Sequence, residues 1–516
     1  MVLPSLLLAL LVRQYEPAKT WFGPQEVVFN VQYAGNPYDP AVNDVKVRFV
    51  NDNGLTVERT AFFDHGAWRT LLVAPLPGRY KATLIHNGRP SMEEPIPSVI
   101  VLDQKLPHGF VRRNKLNLNR LSYDDGGALF PFGFNLGWQT PGMAPMEDEI
   151  KKMAQAGLTW TRIWADDWDD KNPWWPHDEP FPIKDQLWRK ALDRWGKITA
   201  ACDDAGIDYQ FVLFNGGAFS GEKGAEWAKN PWNVANGGFL KSADDFFTDP
   251  EAKRRAKMWV RYAVARWCGD PHLFAWELFD DVESTDAARD GRWKEIADWH
   301  KEMADTIRSL DPYGRAITTS SDLSHQEVWG SVDFYQPHFH DDSLPSTFAT
   351  TTLPPDKPGF AGEFGPAHDL GDKERSFVND VVWQSIRQNR AGAAMYWPWS
   401  RVEKLNLMPQ FQTWARIISQ SSVAQHPLGS AMAVTSTVGQ ADGLRDINWV
   451  MVRLRGADGK APKLSWSGMI EGTWNATSFN LESGETTNDV AIAKGPKLQL
   501  SKVKGQDVVL WLQVSD

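Results

Sequence analysis

Ala275-Trp276-Glu277-Leu278-Phe279-Asp280-Asp281-Val282-Glu283 closes an apolar run that begins at Leu273, and it closes in a cluster of carboxylates. A buried parallel strand that delivers acids to the rim of a barrel reads this way, because such strands are near-continuous apolar runs whose carboxyl ends carry the chemistry. A second stretch, Pro358-Gly359-Phe360-Ala361-Gly362-Glu363-Phe364-Gly365, is short, apolar and flanked by glycines, with one acid in its middle. Two strand ends that each present a carboxylate are the minimum equipment for cleaving a glycosidic bond.

Working outward, strand and helix patterns alternate on both sides of these stretches. Strands are expected at Leu129 to Asn135, Leu158 to Trp164, Tyr209 to Phe214, Leu273 to Phe279, Arg315 to Ser320, Val332 to His338, Phe360 to Glu363 and Ala393 to Trp397. Helices are expected at Met146 to Ala156, Asp185 to Ala205, Glu251 to Trp267, Gly291 to Leu310 and Lys373 to Arg390. Eight strand-helix units in one domain predict a (β/α)8 TIM barrel over residues 109–425. Arg112-Arg113-Asn114 reads as a small hairpin covering its floor, and the excursion Asn215 to Pro250 exceeds an ordinary βα loop and is a candidate substrate-side loop.

The flanks read differently. Val27 to Val31, Val45 to Val50 and Arg79 to Leu84 cluster β-branched residues between Gly, Pro and Asn turns, so residues 14–108 predict a β-sandwich. From about Leu428 the alternation stops, and strands such as Trp449 to Leu454 and Val508 to Leu512 predict a second β-sandwich over residues 426–516. Met1 to Val12 holds the apolar run Leu6 to Val12, too short to span a bilayer, which reads as the remnant of a secretory signal (residues 1–13) and an exported, secreted or periplasmic protein.

Composition narrows the partners. A net charge of -10 over 516 residues argues against nucleic acid and against an anionic membrane surface. A neutral substrate fits better, and 26 Trp and 26 Phe offer flat apolar faces suited to sugar rings. The two cysteines, Cys202 and Cys268, fall in expected helices and read as free buried thiols. Oligomeric state is not legible.

Phe274 to Val282 resembles the fourth barrel strand of the clan-A glycoside hydrolases, the group around family five, and Gly362-Glu363-Phe364-Gly365 resembles their seventh. Asn36-Pro37-Tyr38-Asp39-Pro40 and Pro77-Gly78-Arg79-Tyr80 are similar to the immunoglobulin-like domain that often precedes such barrels. The resemblance implies a retaining glycosidase acting on a β-linked polysaccharide or oligosaccharide, without a cofactor. It implies Glu363 as nucleophile, with Arg162 beside it to hold it ionised and counted with Asp280, His338 and His340 among the substrate-binding residues, and Asp281 as acid/base. The family's usual Asn-Glu is here Asp280-Asp281, and His338-Phe339-His340 stands for its His-x-Tyr. Asp280 therefore takes the place of the Asn that donates to the sugar 2-hydroxyl, and two adjacent acids are expected to raise each other's pKa. Trp397 resembles the indole that floors the sugar site, and Trp138, Trp164 and Asn172-Pro173-Trp174-Trp175-Pro176 are further stacking candidates. Glu277, four residues before Asp281 and deeper, reads as structural, and Glu283 as lying past the strand end.

Metal binding is not expected, since His338 and His340 alternate along a strand with no third ligand in sequence. There is no Gly-x-Ser-x-Gly elbow, phosphate-binding Gly-rich loop or Cys/His metal spacing. The departures at Asp280, Asp281 and His340 leave open a non-catalytic carbohydrate-binding protein on a degenerate barrel. A scaffold that uses only its sandwiches is a third reading.

Overall fold

In the computed structural model the apolar run forms a strand, Leu273–Glu277, with all five residues buried. It is the third of four parallel strands in the order Trp160–Trp164, Asp208–Val212, Leu273–Glu277, Ala316–Thr318. The residues described are 19–91, 95–115, 117–176, 185–343, 346–347, 350–421, 423, 430–446 and 449–515. The signal-like run and the Leu428 boundary lie outside them.

Shorter contacts close the cylinder. Gly133 bridges Trp160, Phe134 bridges Tyr396, Tyr396 bridges Phe364, and Tyr335 bridges Gly359, all parallel, while His338–His340 pairs with Glu363–Gly365. Between the fifth and sixth staves, Asp333 and Ile317 exchange hydrogen bonds in both directions. The expected eight-stave barrel is therefore present, but its first and eighth staves are isolated bridges and its fifth, sixth and seventh only three-residue strands. Pro131, Pro337 and Pro398 punctuate them, and proline cannot donate to a ladder.

The helices begin and end where the chain's caps put them. Pro250–Trp267 starts on Asp249, whose side chain accepts from the backbone N–H of Glu251 and Ala252, and Pro250 occupies the first turn. Arg189–Ala205 ends at Gly206, whose φ of 68° is the left-handed stop that glycine adopts without penalty. That helix starts at Arg189 rather than the expected Asp185, because residues 185–188 form a turn without helical bonding.

Three antiparallel strands, Val111–Arg113, Leu121–Tyr123 and Ala128–Leu129, form the expected floor. Their apolar side chains join Trp160, Phe274, Phe334, Phe360 and Met395 in one buried cluster that plugs the amino-terminal end of the bore. Tyr123 ties the floor to the staves by donating to Asp208 Oδ2 at 2.6 Å.

Two antiparallel sheets precede the barrel. One orders Phe22–Phe29, Ala67–Ala74, Phe62–Asp64, the other Thr56–Thr60, Val45–Asn51, Gly78–His86, Arg89–Pro90 with Val99–Val101 also on Gly78–His86. Val45, Val47 and Phe49, alternating along one strand, meet Trp68 and Leu72 of the other sheet, which is the alternation a sandwich requires. The carboxy-terminal part departs from expectation. Its nine strands form one continuous sheet, from Ser430–Ala433 at one edge to Thr435–Ser436 at the other, curled around Val452, Leu464, Trp474, Leu498 and Leu510. The long strands Gly472–Asn480, Thr486–Lys494 and Asp507–Val514 pair with one another, so the sheet never divides into two layers. Cys202 and Cys268 are free and buried, as expected. No helix among the described residues is long and apolar enough to cross a membrane.

Candidate active site

At the carboxyl ends of the staves one guanidinium meets three acids. Arg162, in the second stave, is fully buried. It donates through Nε to Glu277 Oε2 at 2.6 Å, through Nη2 to Glu277 Oε1 and to Asp280 Oδ1 at 2.5 Å, and through Nη1 to Glu363 Oε1. The fork of a guanidinium suits this, since its five N–H groups can serve several carboxylates at once. Trp164 covers one face of the group, its ring 4.2 Å from Arg162 Cζ. Glu277 also accepts from Gln210, which exchanges hydrogen bonds with Gln336 across the bore.

Beyond Glu277 the chain leaves the strand, and Asp280 bridges Asn215. Asp281 then takes a left-handed conformation, φ 43° and ψ 54°, uncommon outside glycine and best tolerated by Asp and Asn. Its backbone N–H is held by Ser320 Oγ at 2.9 Å, and its Oδ1 lies 2.5 Å from His338 Nδ1. His338 Nδ1 is also 3.6 Å from Glu363 Oε2. The Asp281 and Glu363 oxygens are therefore separated by no more than those two lengths laid end to end. His340 Nε2 stands 3.2 Å from Glu363 Oε2. Asp281 and His340, each with a 38 % exposed side chain, face the cleft, while Glu363 at 2 % lies behind them.

Protonation follows from burial and from this crowding. Burial pushes Asp281 above the ordinary carboxylate range, against the pull of His340 and Arg162. The expected mutual elevation of Asp280 and Asp281 is not the cause, because the Asp280 carboxylate is taken up by Arg162. Burial raises Glu277 to about 7 and, reinforced by the charge of Asp281, Glu283 to about 9. Burial drives His338 down to about 4, so it is neutral near pH 7. His340 is raised: burial alone would lower it, but its hydrogen bond to Glu363 and the charges of Glu363, Asp281 and Asp280 outweigh that.

The aromatic wall forms in part as expected. Trp397 packs 6.0 Å from His340 and 5.8 Å from Trp138, centroid to centroid. Three expectations need correction. Trp164 is buried, with one face occupied by Arg162 and Gly137 pressed against its ring, so it backs the wall and offers no stacking surface. Arg162 is likewise buried and holds acids rather than substrate. Trp174 and Trp175 are buried in the loop core and cannot stack either.

Some members of the site were not singled out. Trp168, 43 % exposed, packs 4.1 Å from Trp138 and extends the wall into solvent. Ser320 touches Asp281, Asp280 and Arg162 from the end of the fifth stave, where the apolar run turning to Thr-Thr-Ser was its one signal. Asn135 donates to the carbonyls of Gly362 at 3.0 Å and Tyr396 at 3.2 Å, fixing the stave that carries Glu363. The expected lack of a third ligand beside His338 and His340 also fails, because pairing of the sixth and seventh staves places Glu363 against both.

No family model matches the chain. Among curated proteins it is 33 % identical to mannan endo-1,4-beta-mannosidase 8 of Oryza sativa subsp. japonica over 171 residues, 32 % of this chain and 43 % of that protein. It is 21 % identical to mannan endo-1,4-beta-mannosidase A of Hypocrea jecorina over 314 residues, 53 % of this chain and 67 % of that protein. The chain spans from about a third to about two thirds of the length of the curated relatives it matches. Among solved structures, a Bacteroides vulgatus protein assigned to the glycoside hydrolases superposes with TM-score 0.66 at 13 % identity, covering 95 % of this chain and 98 % of that one. A glycoside hydrolase family 5 structure from Bacteroides vulgatus gives TM-score 0.52 at 13 % identity, covering 79 % and 93 %. The barrel has the fold of the family 5 glycoside hydrolases.

Proposed function

We propose that the chain is a retaining glycoside hydrolase acting on a β-linked polysaccharide or oligosaccharide, with Glu363 as nucleophile and Asp281 as acid/base. One observation carries this reading: His338 Nδ1 is 2.5 Å from Asp281 Oδ1 and 3.6 Å from Glu363 Oε2, so the two carboxyls share one small gap. A retaining pair stands about 5–5.5 Å apart and an inverting pair about 6.5–9.5 Å, with a water between. The short path from Asp281 Oδ1 through His338 Nδ1 to Glu363 Oε2 supports the retaining class.

In the proposed reaction Asp281, whose carboxyl is pushed above the ordinary range, gives its proton to the leaving oxygen as Glu363 attacks the anomeric carbon. Asp281 then returns as base to activate the water that releases the sugar. Arg162 braces Glu363 from behind, and the ring of His340 turns aside to admit the substrate to it. Asp280 accepts from Arg162 and is the candidate acceptor for a sugar hydroxyl, while Trp138, Trp397 and Trp168 form the stacking wall. β-1,4-Mannan is the first polysaccharide to test, given the curated relatives. The amino-terminal sandwich is read as an immunoglobulin-like accessory module, with the barrel over 109–425 and the final β domain over 426–516. An exported location belongs to the same reading, on the strength of the apolar run Leu6 to Val12.

The test is a panel of β-linked glycans and aryl glycosides, with products identified by mass and anomeric configuration followed by NMR. Product of retained configuration from the wild type, and none from Glu363→Gln folded to the same extent, is the expected result. Inverted product, or tight binding with no product on any substrate, would overturn it. The second of those outcomes is what a carbohydrate-binding protein on this barrel predicts.

A further inference from the structure

We infer that the mouth of the barrel binds a divalent transition-metal ion, zinc in chemical class, through His338, His340 and Glu363, and that such binding shuts the site. The inference rests on the reading above only for its inhibitory consequence. Two imidazole nitrogens and a carboxylate oxygen lie within 4.8 Å of one another there. His340 Nε2 is 3.2 Å and His338 Nδ1 3.6 Å from the same Glu363 oxygen. Ligands about 2.0–2.2 Å from a tetrahedral zinc stand about 3.3–3.6 Å from each other, so these donors need little movement to close on an ion. Asp281 Oδ1, 2.5 Å from His338 Nδ1, is in reach as a fourth donor once an ion separates the pair.

Charge favours the ion as well as geometry. Glu277, Asp280 and Glu363 all accept from a single guanidinium, more acids than its one charge balances, and a cation is drawn to the surplus. Two imidazoles and a carboxylate are a donor set that zinc and its neighbours take in preference to calcium or magnesium. The exposed edges of His340 and Asp281 give the ion a way in from the cleft. An ion seated there ties His340 to Glu363 and occupies the oxygen that attacks sugar.

Cobalt(II) is the probe, because its visible absorption reports coordination whether or not the protein turns over any glycan. The chelator-treated full-length protein is titrated with Co2+, then with Zn2+ in competition, alongside His340→Ala, Glu363→Gln and His65→Ala. His65 belongs to the second cluster of candidate ligands, Asp64-His65-Asp193, and serves as the control. One equivalent of Co2+ with tetrahedral absorption, displaced by Zn2+ and weakened about tenfold or more in His340→Ala and in Glu363→Gln, is expected; His65→Ala matches the wild type. Absence of a coordination spectrum, or a spectrum kept in His340→Ala, overturns the site, as does loss of binding in His65→Ala alone. If the protein proves active, Zn2+ slows the wild type competitively with glycan. Activity indifferent to saturating Zn2+ overturns the claim that the ion shuts the site, and leaves the hydrolase reading untouched.

Discussion

Arg162 carries one positive charge against three carboxylates, and burial pushes acids in and beside this cluster above the ordinary carboxylate range. Asp281 and Glu283 are the two that variants test most directly. Asp281→Asn keeps the shape of the side chain but removes its proton chemistry, so kcat should fall on every substrate for want of the base, while kcat/KM should fall about 10²–10⁴-fold on a poor leaving group and much less on an aryl glycoside that needs no proton. Equal losses of kcat/KM on the two substrates would remove Asp281 from the acid role. Glu283 tests the electrostatics through stability instead. Its carboxyl titrates near 9 in the folded chain against an ordinary 4.5, so the unfolded chain ionises first as pH rises. The sign follows: its favourable contribution is complete below about pH 4.5 and is lost as pH climbs to about 9. Glu283→Gln should flatten the decline in unfolding free energy between pH 6 and 9, measured in urea at each pH. A decline as steep as in the wild type would mean the Glu283 carboxyl is already ionised in the folded protein.

The element that sets the geometry is the turn after the fourth stave, and it was the least legible in the sequence. The stave itself announced its position by ending an apolar run in acids, and the seventh did so by Gly-Glu-Phe-Gly. The left-handed turn at Asp281, the Ser320 hydroxyl beneath it and the arrival of Glu363 beside two histidines depend on neighbouring staves, and contacts between staves leave no local pattern. The same reason explains the curled carboxy-terminal sheet, since alternation shows that strands exist but not whether they divide into layers. Gly216 shows how tightly the turn is held: a Cβ there would come 2.0 Å from Ser284 Oγ and 2.4 Å from the Asp281 carbonyl. Real Cβ atoms do not approach so closely, so Gly216→Ala must move the turn. A displaced acid with the stacking tryptophans left in place should lower kcat at least about tenfold while changing KM less, a split that steady-state kinetics on one substrate resolves. An unchanged kcat would show that the turn carries no catalytic group.

Across the whole molecule, both flanking β domains are fastened to the outer helices of the barrel. Arg59, buried in the amino-terminal sandwich, donates to Leu71 O at 2.8 Å and to Ala265 O at 3.0 Å and touches Cys268 Sγ; Tyr313 hydrogen-bonds both backbone groups of Val73. On the other side Arg453 joins Asp507 to Asp380 and the carbonyl of Asn379. Arg59→Met leaves two buried carbonyls without donors, at about 1–3 kcal/mol each. The urea midpoint should fall accordingly, with the sandwich and barrel separating into two transitions if Arg59 is what couples them. A midpoint equal to the wild type would show that water takes over both carbonyls. The three-stranded floor has a consequence of its own. With Trp160, Phe274, Phe334 and Phe360 filling the bore above it, the cylinder is a blind-ended well. On the proposed hydrolase reading, a long polymer is gripped crosswise at the lip of such a well rather than threaded through it, and cut pieces depart by the doorway through which the strand arrived.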